Sequence, residues 1–329
     1  MATLKYSAGS YTGNGVNDRD IGGFYISTFG FMLITRGDQW TLRTKAMAGD
    51  FSVRMGGGTT FTNRIKSVTP GTVFRIGTDA DVNNNGSVYS WIAFNDDTDF
   101  FRFGSYVGDG IAGKTISLPG FTPTFVFIVD TSGIGYGGMH RTSAMPGDAT
   151  FIINTAGAHI TGNITSLAVG GFVLGTGFRV NESGRTYHYL AFGTDTSKGL
   201  VGTYDGNNVD DRNIIISPAL QPVFNLVRRH STANNQVSCA RWRPFSGDTT
   251  TKINGGYFGN LIQSFLVNGF QVGNDYGVNG DDGGGASVNR YYWALLAAEL
   301  QDADPLAGFS SALPVACGHS LMVNPVAQN

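Results

Sequence analysis

GFVLGTGFRVNESGRTYHYLAF, from Gly171 to Phe192, is a pattern that the chain states three times. Phe172, Gly175, Val180, Asn181, Gly184, Tyr187, Ala191 and Phe192 have identical counterparts 98 positions earlier, at Phe74, Gly77, Val82, Asn83, Gly86, Tyr89, Ala93 and Phe94. The first four recur 98 positions later as Phe270, Gly273, Val278 and Asn279, after which an Asp/Gly-rich insert delays the aromatic run to Tyr291, Tyr292 and Trp293. Identities at apolar, glycine and aromatic positions over one shared interval mark an internal repeat. Its length is too great for a solenoid turn and typical of a small domain. The expectation is three tandem modules, 1–105, 106–203 and 204–304, followed by a C-terminal tail, 305–329.

Composition assigns the fold class. Among 329 residues there are 48 Gly and only two Glu, Glu182 and Glu299, while Phe, Tyr, Thr, Ser and Asn are abundant. Strand and turn residues dominate over strong helix formers. The fold expected is all-β: three repeated antiparallel β-sandwich modules of lectin or jelly-roll type, with little or no helix. A net charge of -2 gives no basic footprint for nucleic acid or anionic lipid. Met1 to Ser10 lacks the apolar core of a signal peptide, and no run approaches the length of a membrane span. Cys239 and Cys317 have no close partners, so both are expected as buried free thiols rather than as part of a disulfide or metal framework.

Four further signatures recur. Tyr11-Thr12-Gly13-Asn14-Gly15, Tyr106-Val107-Gly108-Asp109-Gly110 and Tyr204-Asp205-Gly206-Asn207-Asn208 combine an aromatic with turn residues, and each is read as the hinge into a new module. Apolar runs at Phe31–Ile34, Phe125–Val129 and Val223–Val227 are read as central strands. Met47-Ala48-Gly49-Asp50, Met145-Pro146-Gly147-Asp148 and Phe245-Ser246-Gly247-Asp248 are read as turns between strands. Ile65–Val68, Ile164–Leu167 and Ile262–Phe265 alternate with period two, as half-buried strands do. The Val-Asn-x-x-Gly segment is read as a hairpin connection into an aromatic closing strand. Trp293 to Asp302 prefers helix intrinsically, but its place in the repeat assigns it to that strand. Each module then holds seven or eight short strands.

No catalytic constellation emerges. The five histidines occupy no equivalent positions, no G-x-S-x-G elbow is present, and the Asp residues fall mostly in turns. Asp79–Gly86 superficially resembles a calcium loop, but its glycine and its twelfth position are wrong, so a plain turn is expected and no metal or cofactor is assigned. Candidate ligand-binding residues lie where the copies disagree. Asn279, Asp281 and Asp282 of the 279–286 insert could receive sugar hydroxyls, and Arg228 and Arg229, with His230, Arg241 and Arg243, form a local basic patch. Trp91, Tyr189, Tyr292 and Trp293 are read as core aromatics rather than sugar platforms.

The order Y-T-G-N-G, G-F-x-P, G-F-x-x-G and V-N-x-x-G-x-x-Y resembles a repeat of tailed-phage and prophage virion proteins. The second copy carries it best, through Tyr106, Gly108, Gly120-Phe121, Pro123, Gly171-Phe172, Gly175, Val180-Asn181, Gly184 and Tyr187. The resemblance spans roughly residues 5 to 300 and departs at the first copy, which has Ser27-Thr28-Phe29-Gly30 in place of Gly-Phe-x-Pro, and at the third, which has Ala219-Leu220-Gln221-Pro222. It implies lectin-type sandwiches on a head fibre, tail fibre or capsid decoration. The expectations that follow are a non-enzymatic virion protein made in the host cytoplasm without a signal peptide. Its expected partners are other virion proteins, further copies of itself, with a trimer as one form, and host-surface carbohydrate, without nucleic acid or membrane insertion. The alternative is a carbohydrate-binding module or a polysaccharide-degrading enzyme.

Overall fold

The computed structural model describes residues 4–57, 62–132, 136–155, 159–230, 237–280 and 290–300. Asp281, Asp282, Cys317 and the tail lie outside the described residues. The fold is all-β, as composition indicates, with two one-turn helices among the described residues. No helix among the described residues is long and apolar enough to cross a membrane.

One plan is built three times. In each module an inner antiparallel sheet begins with the strand that ends in the Tyr-x-Gly signature: Lys5–Thr12, Phe101–Val107 or Gly199–Asp205. Next to it lies the aromatic closing strand, Val88–Asn95, Thr186–Phe192 or Arg290–Leu296. Then follow the apolar strand (Phe29–Thr35, Phe125–Asp130, Phe224–His230) and its hairpin partner (Trp40–Thr44, Met139–Thr142, Cys239–Trp242). A three-stranded outer sheet covers each one. Its middle strand carries the Phe-x-x-Gly motif (Val73–Ile76, Gly171–Leu174, Gly269–Val272), and one edge is the alternating strand at Ile65–Thr69, Ile164–Ala168 or Ile262–Leu266. All three edges carry a bulge after the isoleucine, between Ile65 and Ser67, Ile164 and Ser166, and Ile262 and Ser264.

The opening stretch is thus an outer strand, one helical turn and the closing strand of the inner sheet. Val-Asn-x-x-Gly is a crossover between sheets, not a hairpin. In the first two modules the turn is Ala80–Asn83 or Phe178–Asn181. The Asp79–Gly86 segment starts with this turn, with Asp79 capping Asp81 N–H and buried Asp81 paired with Arg54 and Arg64. The glycine of Phe-x-x-Gly is required sterically: a Cβ on Gly77, Gly175 or Gly273 would stand 2.3, 2.3 or 2.4 Å from the carbonyl of Asn63, Gly162 or Asn260. The Tyr-x-Gly signature is likewise not a hinge, since it ends a strand. Boundaries at 105/106 and 203/204 fall inside Phe101–Val107 and Gly199–Asp205. The links between modules are the turns near Asp97 and Asp195, which Lys198 ties together with ammonium–carboxylate distances of 2.7 and 3.3 Å.

The three sheet pairs are not independent beads. Alternate residues of the apolar strands face opposite ways: Phe125, Phe127 and Val129 enter one large core, while Val126 and Ile128 enter their own module's core. Phe31 and Leu33 against Met32 and Ile34 repeat the division. Burial on both faces explains why these runs are apolar without interruption. The large core gathers Phe94, Phe192 and Leu296, with Ile92, Leu190 and Ala294, from equivalent positions of all three closing strands. A remnant apolar cavity of about 30 Å³ at its centre is lined by all three modules. The chain is therefore a pseudo-trimer folded around one shared core. The circle closes where Glu299–Leu300 pairs in parallel with Lys5–Tyr6.

Candidate functional site

Most of the repeat's polar residues serve the backbone. Arg43, Arg141 and Arg241 occupy one position of the repeat, and each curls its guanidinium into the following Met/Phe-x-Gly-Asp turn. Arg43 donates to the carbonyls of Met47, Gly49, Phe51 and Ile65 at 3.2, 2.6, 2.5 and 2.9 Å. Arg141 serves Met145, Gly147 and Ala149, and Arg241 serves Phe245, Gly247, Thr249 and Ile262. Burial lowers the pKa of all three from the usual arginine value. The turn's aspartate, Asp50, Asp148 or Asp248, receives the backbone N–H of Asn63, Gly162 or Asn260, two residues before the alternating strand. These turns sit at the seams between modules, so their sequence decides what each seam presents.

Each seam sets such a turn beside the first strand of the next module around the ring. Between the first and second modules, Phe103 packs against the shared core, buried Met47 faces inward, and Lys45 lies 5.7 Å over the Phe103 ring while paired with Asp96 at 2.6 Å. Between the second and third, the equivalents are Val201, Met145 and uncharged Ser143. Between the third and first, the pseudo-symmetry breaks. Ala8 stands where Phe103 and Val201 stand, as the register against Ile92, Leu190 and Ala294 establishes. Phe245 replaces the two buried methionines and is only partly covered. Arg243 replaces Lys45 and is exposed; its backbone N–H donates to the Val223 carbonyl at 3.0 Å, while its guanidinium makes no hydrogen bond or ion pair among the described residues.

The result is a cleft of about 490 Å³ framed by Tyr6, Ala8, Arg243, Phe245, Ser264 and Phe265. A second cleft of about 210 Å³, holding Ser10, Ser90, Thr249 and Tyr257, shares Pro244, Phe245 and Ser246 with it, so the two form one groove. Tyr257 comes from Gly256–Phe258, a further strand of the third inner sheet, and leaves 40% of its surface exposed 5.6 Å from Phe245. Among the described residues, no Asp or Glu lines either cleft.

Of the residues selected from sequence, Asp281 and Asp282 lie outside the described residues, and Asn279, Arg228 and Arg229 do not line the groove. Asn279 is fully buried and, like Asn83 and Asn181, holds its own loop: its amide donates to the Val209 carbonyl at 2.7 Å and accepts from Asn207 N–H at 3.2 Å. Arg228 and Arg229 are 1% exposed, so they are seam and core residues rather than a surface patch. Arg228 donates to the Thr155 carbonyl of the second module at 2.7 Å and lies 5.2 Å over Phe151, and burial pushes its pKa down to about 10. Of the basic patch, Arg241 and Arg243 line the groove; the Arg241 guanidinium is taken up by the carbonyls of its own turn, and Arg243 is the exposed one. Trp91, Tyr292 and Trp293 are core residues, as expected, and Cys239 is a buried free thiol whose pKa burial raises to about 12. Sequence reasoning missed Ala8 and Phe245. Comparing each repeat's turn and first strand position by position would have exposed both.

Around Phe151, at the seam of the second and third modules, gather His140, His159, His230, Arg228 and Tyr292. The His159 and His230 rings stack 4.3 Å apart with facing nitrogens in contact. Among the described residues no group of three or more His, Cys, Asp or Glu is placed to hold a metal ion.

A family model described as a domain of unknown function (DUF7483) matches residues 2–195, more than half of the chain. The chain belongs to the DUF7483 family. The DUF7483 match ends at Asp195, in the turn that leads into the third module, so it covers two of the three modules. The groove joins a module inside the DUF7483 match to one beyond it. No curated protein matches the chain.

Proposed function

We propose that the chain is a structural, surface-exposed protein of a phage or phage-like particle, as head fibre, capsid decoration or tail-fibre component, and that it adheres to host-surface glycans through the groove between its third and first modules. The observation that carries this reading is the broken pseudo-symmetry. The first module's turn also borders a cleft, of about 260 Å³, but its Lys45 is paired with Asp96 and covered by Phe103; the second has uncharged Ser143 at that position, while the third has an open groove edged by aromatic rings and hydroxyls, with Arg243 in it. A sugar offers both counterparts, an apolar C–H face for a ring and hydroxyls for serine and threonine. A concave site with a few directed polar groups is also the usual form of a ligand site.

The scaffold role rests on the repeat. Tyr, Asn, Arg and Asp at the shared positions are engaged by backbone groups, which stiffens each module. Val16, Ile111 and Val209, equivalent in the three modules, are each more than half exposed, and such a triplicated apolar tip suits a threefold-symmetric neighbour in the particle. The shared core meets within one chain the burial that a trimer of single modules would require, so self-association would use outer surfaces. Electron microscopy and mass spectrometry of purified particles test the location; particles without the chain refute it. Release of reducing sugar from host polysaccharide would identify a hydrolase instead.

A further inference from the structure

We infer that the groove takes an acidic glycan, a chain of pyranoses bearing carboxylates, with Arg243 as the residue that receives the charge. The inference rests on the glycan-binding reading above and adds the chemical class.

The three seams provide an internal comparison. Where a cation stands at this position in the first module, Lys45, the fold supplies Asp96 to neutralise it and Phe103 to fill the space beside it. In the second module the position is Ser143, with no charge to neutralise. In the third, an arginine is present, its space is open because Ala8 is small, and among the described residues neither cleft contributes a carboxylate. An unpaired cation in a half-enclosed groove attracts an anion, and the planar guanidinium matches a carboxylate in two parallel hydrogen bonds. Groove shape favours a glycan over a compact anion. The two clefts meet at Pro244–Ser246 as a continuous furrow, with the Phe245 and Tyr257 rings, set at 87° to each other, in its wall and Ser10, Ser90, Ser246, Thr249 and Ser264 as hydroxyls. Successive sugars could stack and hydrogen-bond along it while one carboxylate reaches Arg243.

The test uses the full chain with galacturonate oligomers and with uncharged gluco-oligomers of equal length, followed by calorimetry. The galacturonate oligomers should bind more tightly, and their affinity should fall with added salt. Arg243→Gln should weaken them about tenfold or more, the scale of a lost charge-assisted hydrogen bond, while Lys45→Gln should leave binding unchanged. Ala8→Phe installs the residue that the first seam already accommodates; it should abolish binding with the melting temperature preserved. Equal binding of both oligomers, lost in Ala8→Phe, overturns the acidic preference and leaves the glycan reading standing. Binding of neither overturns both. Tighter binding of polyglutamate than of any oligosaccharide overturns the assignment to glycan.

Discussion

At the residue scale, the repeat preserves side chains that complete backbone hydrogen bonds. Tyr187 accepts Glu182 N–H and donates to the Phe178 carbonyl, at 3.0 and 2.6 Å, while stacking on Tyr106, whose hydroxyl reaches the Val180 carbonyl. Asn181 bridges the carbonyls of Ile111 and Gly175, both at 2.9 Å. Tyr187→Phe should therefore cost about 1–2 kcal/mol and Asn181→Ala about 2–3, because buried carbonyls lose their donor. Denaturant melts check both; a neutral Asn181→Ala would contradict the role. His140 makes a pH prediction. Buried between Phe125 and Phe151, and with the Arg228 charge nearby, its pKa is lowered from 6.5 to about 3. The folded protein keeps the ring neutral while the unfolded chain takes up a proton below about 6.5, so acid favours unfolding across that interval. His188 and His230, also lowered, act in the same direction. The melting temperature should fall from pH 7 to pH 4, and His140→Leu, which installs the first module's Leu42, should flatten the profile.

At the element scale, the arginine-filled turn is the unit on which each seam is built. Arg141→Leu strips three carbonyls of a donor inside a buried turn and should cost about 3–5 kcal/mol, the range for breaking a buried charged network. Faster hydrogen exchange confined to residues 143–150 would locate the damage, whereas unchanged exchange there would contradict the assignment. Elements were the level at which the sequence was most legible. Phe125–Val129 read as a central strand because its apolarity is continuous, and Trp293 read as strand because Trp91 and Tyr189 hold the same place in the repeat. The crossover at Val-Asn-x-x-Gly was misjudged because turn chemistry alone does not distinguish a return within one sheet from a step between two. Of the groove, Arg243 was visible as part of the basic patch, whereas Phe245 read only as a turn residue and Ala8 acquires meaning only from the Phe and Val that replace it at the other seams.

At the scale of the whole molecule, the third module supplies one side of the shared core. A fragment ending at residue 198 keeps two modules but uncovers Phe31, Phe125, Phe127 and their neighbours on the inner sheets. Light scattering of the fragment should show association or aggregation, and co-expression with residues 199–329 should restore the intact chain's size. A soluble, monomeric fragment would mean that the modules fold as separate beads. The sequence announces three modules plainly but not their convergence, because the contacts that join them have no local pattern beyond strands buried on both faces.

The parallel pairing of Lys5–Tyr6 with Glu299–Leu300 also fixes how the molecule meets mechanical load. Tension applied through Lys5 and Leu300 pulls the two strands along their length in opposite directions. Their hydrogen bonds then resist together, in shear, instead of opening one after another like a zip. The groove lies beside this clasp, with Tyr6 in both, so a pull on a ligand held there would reach the clasp through the strand Lys5–Thr12.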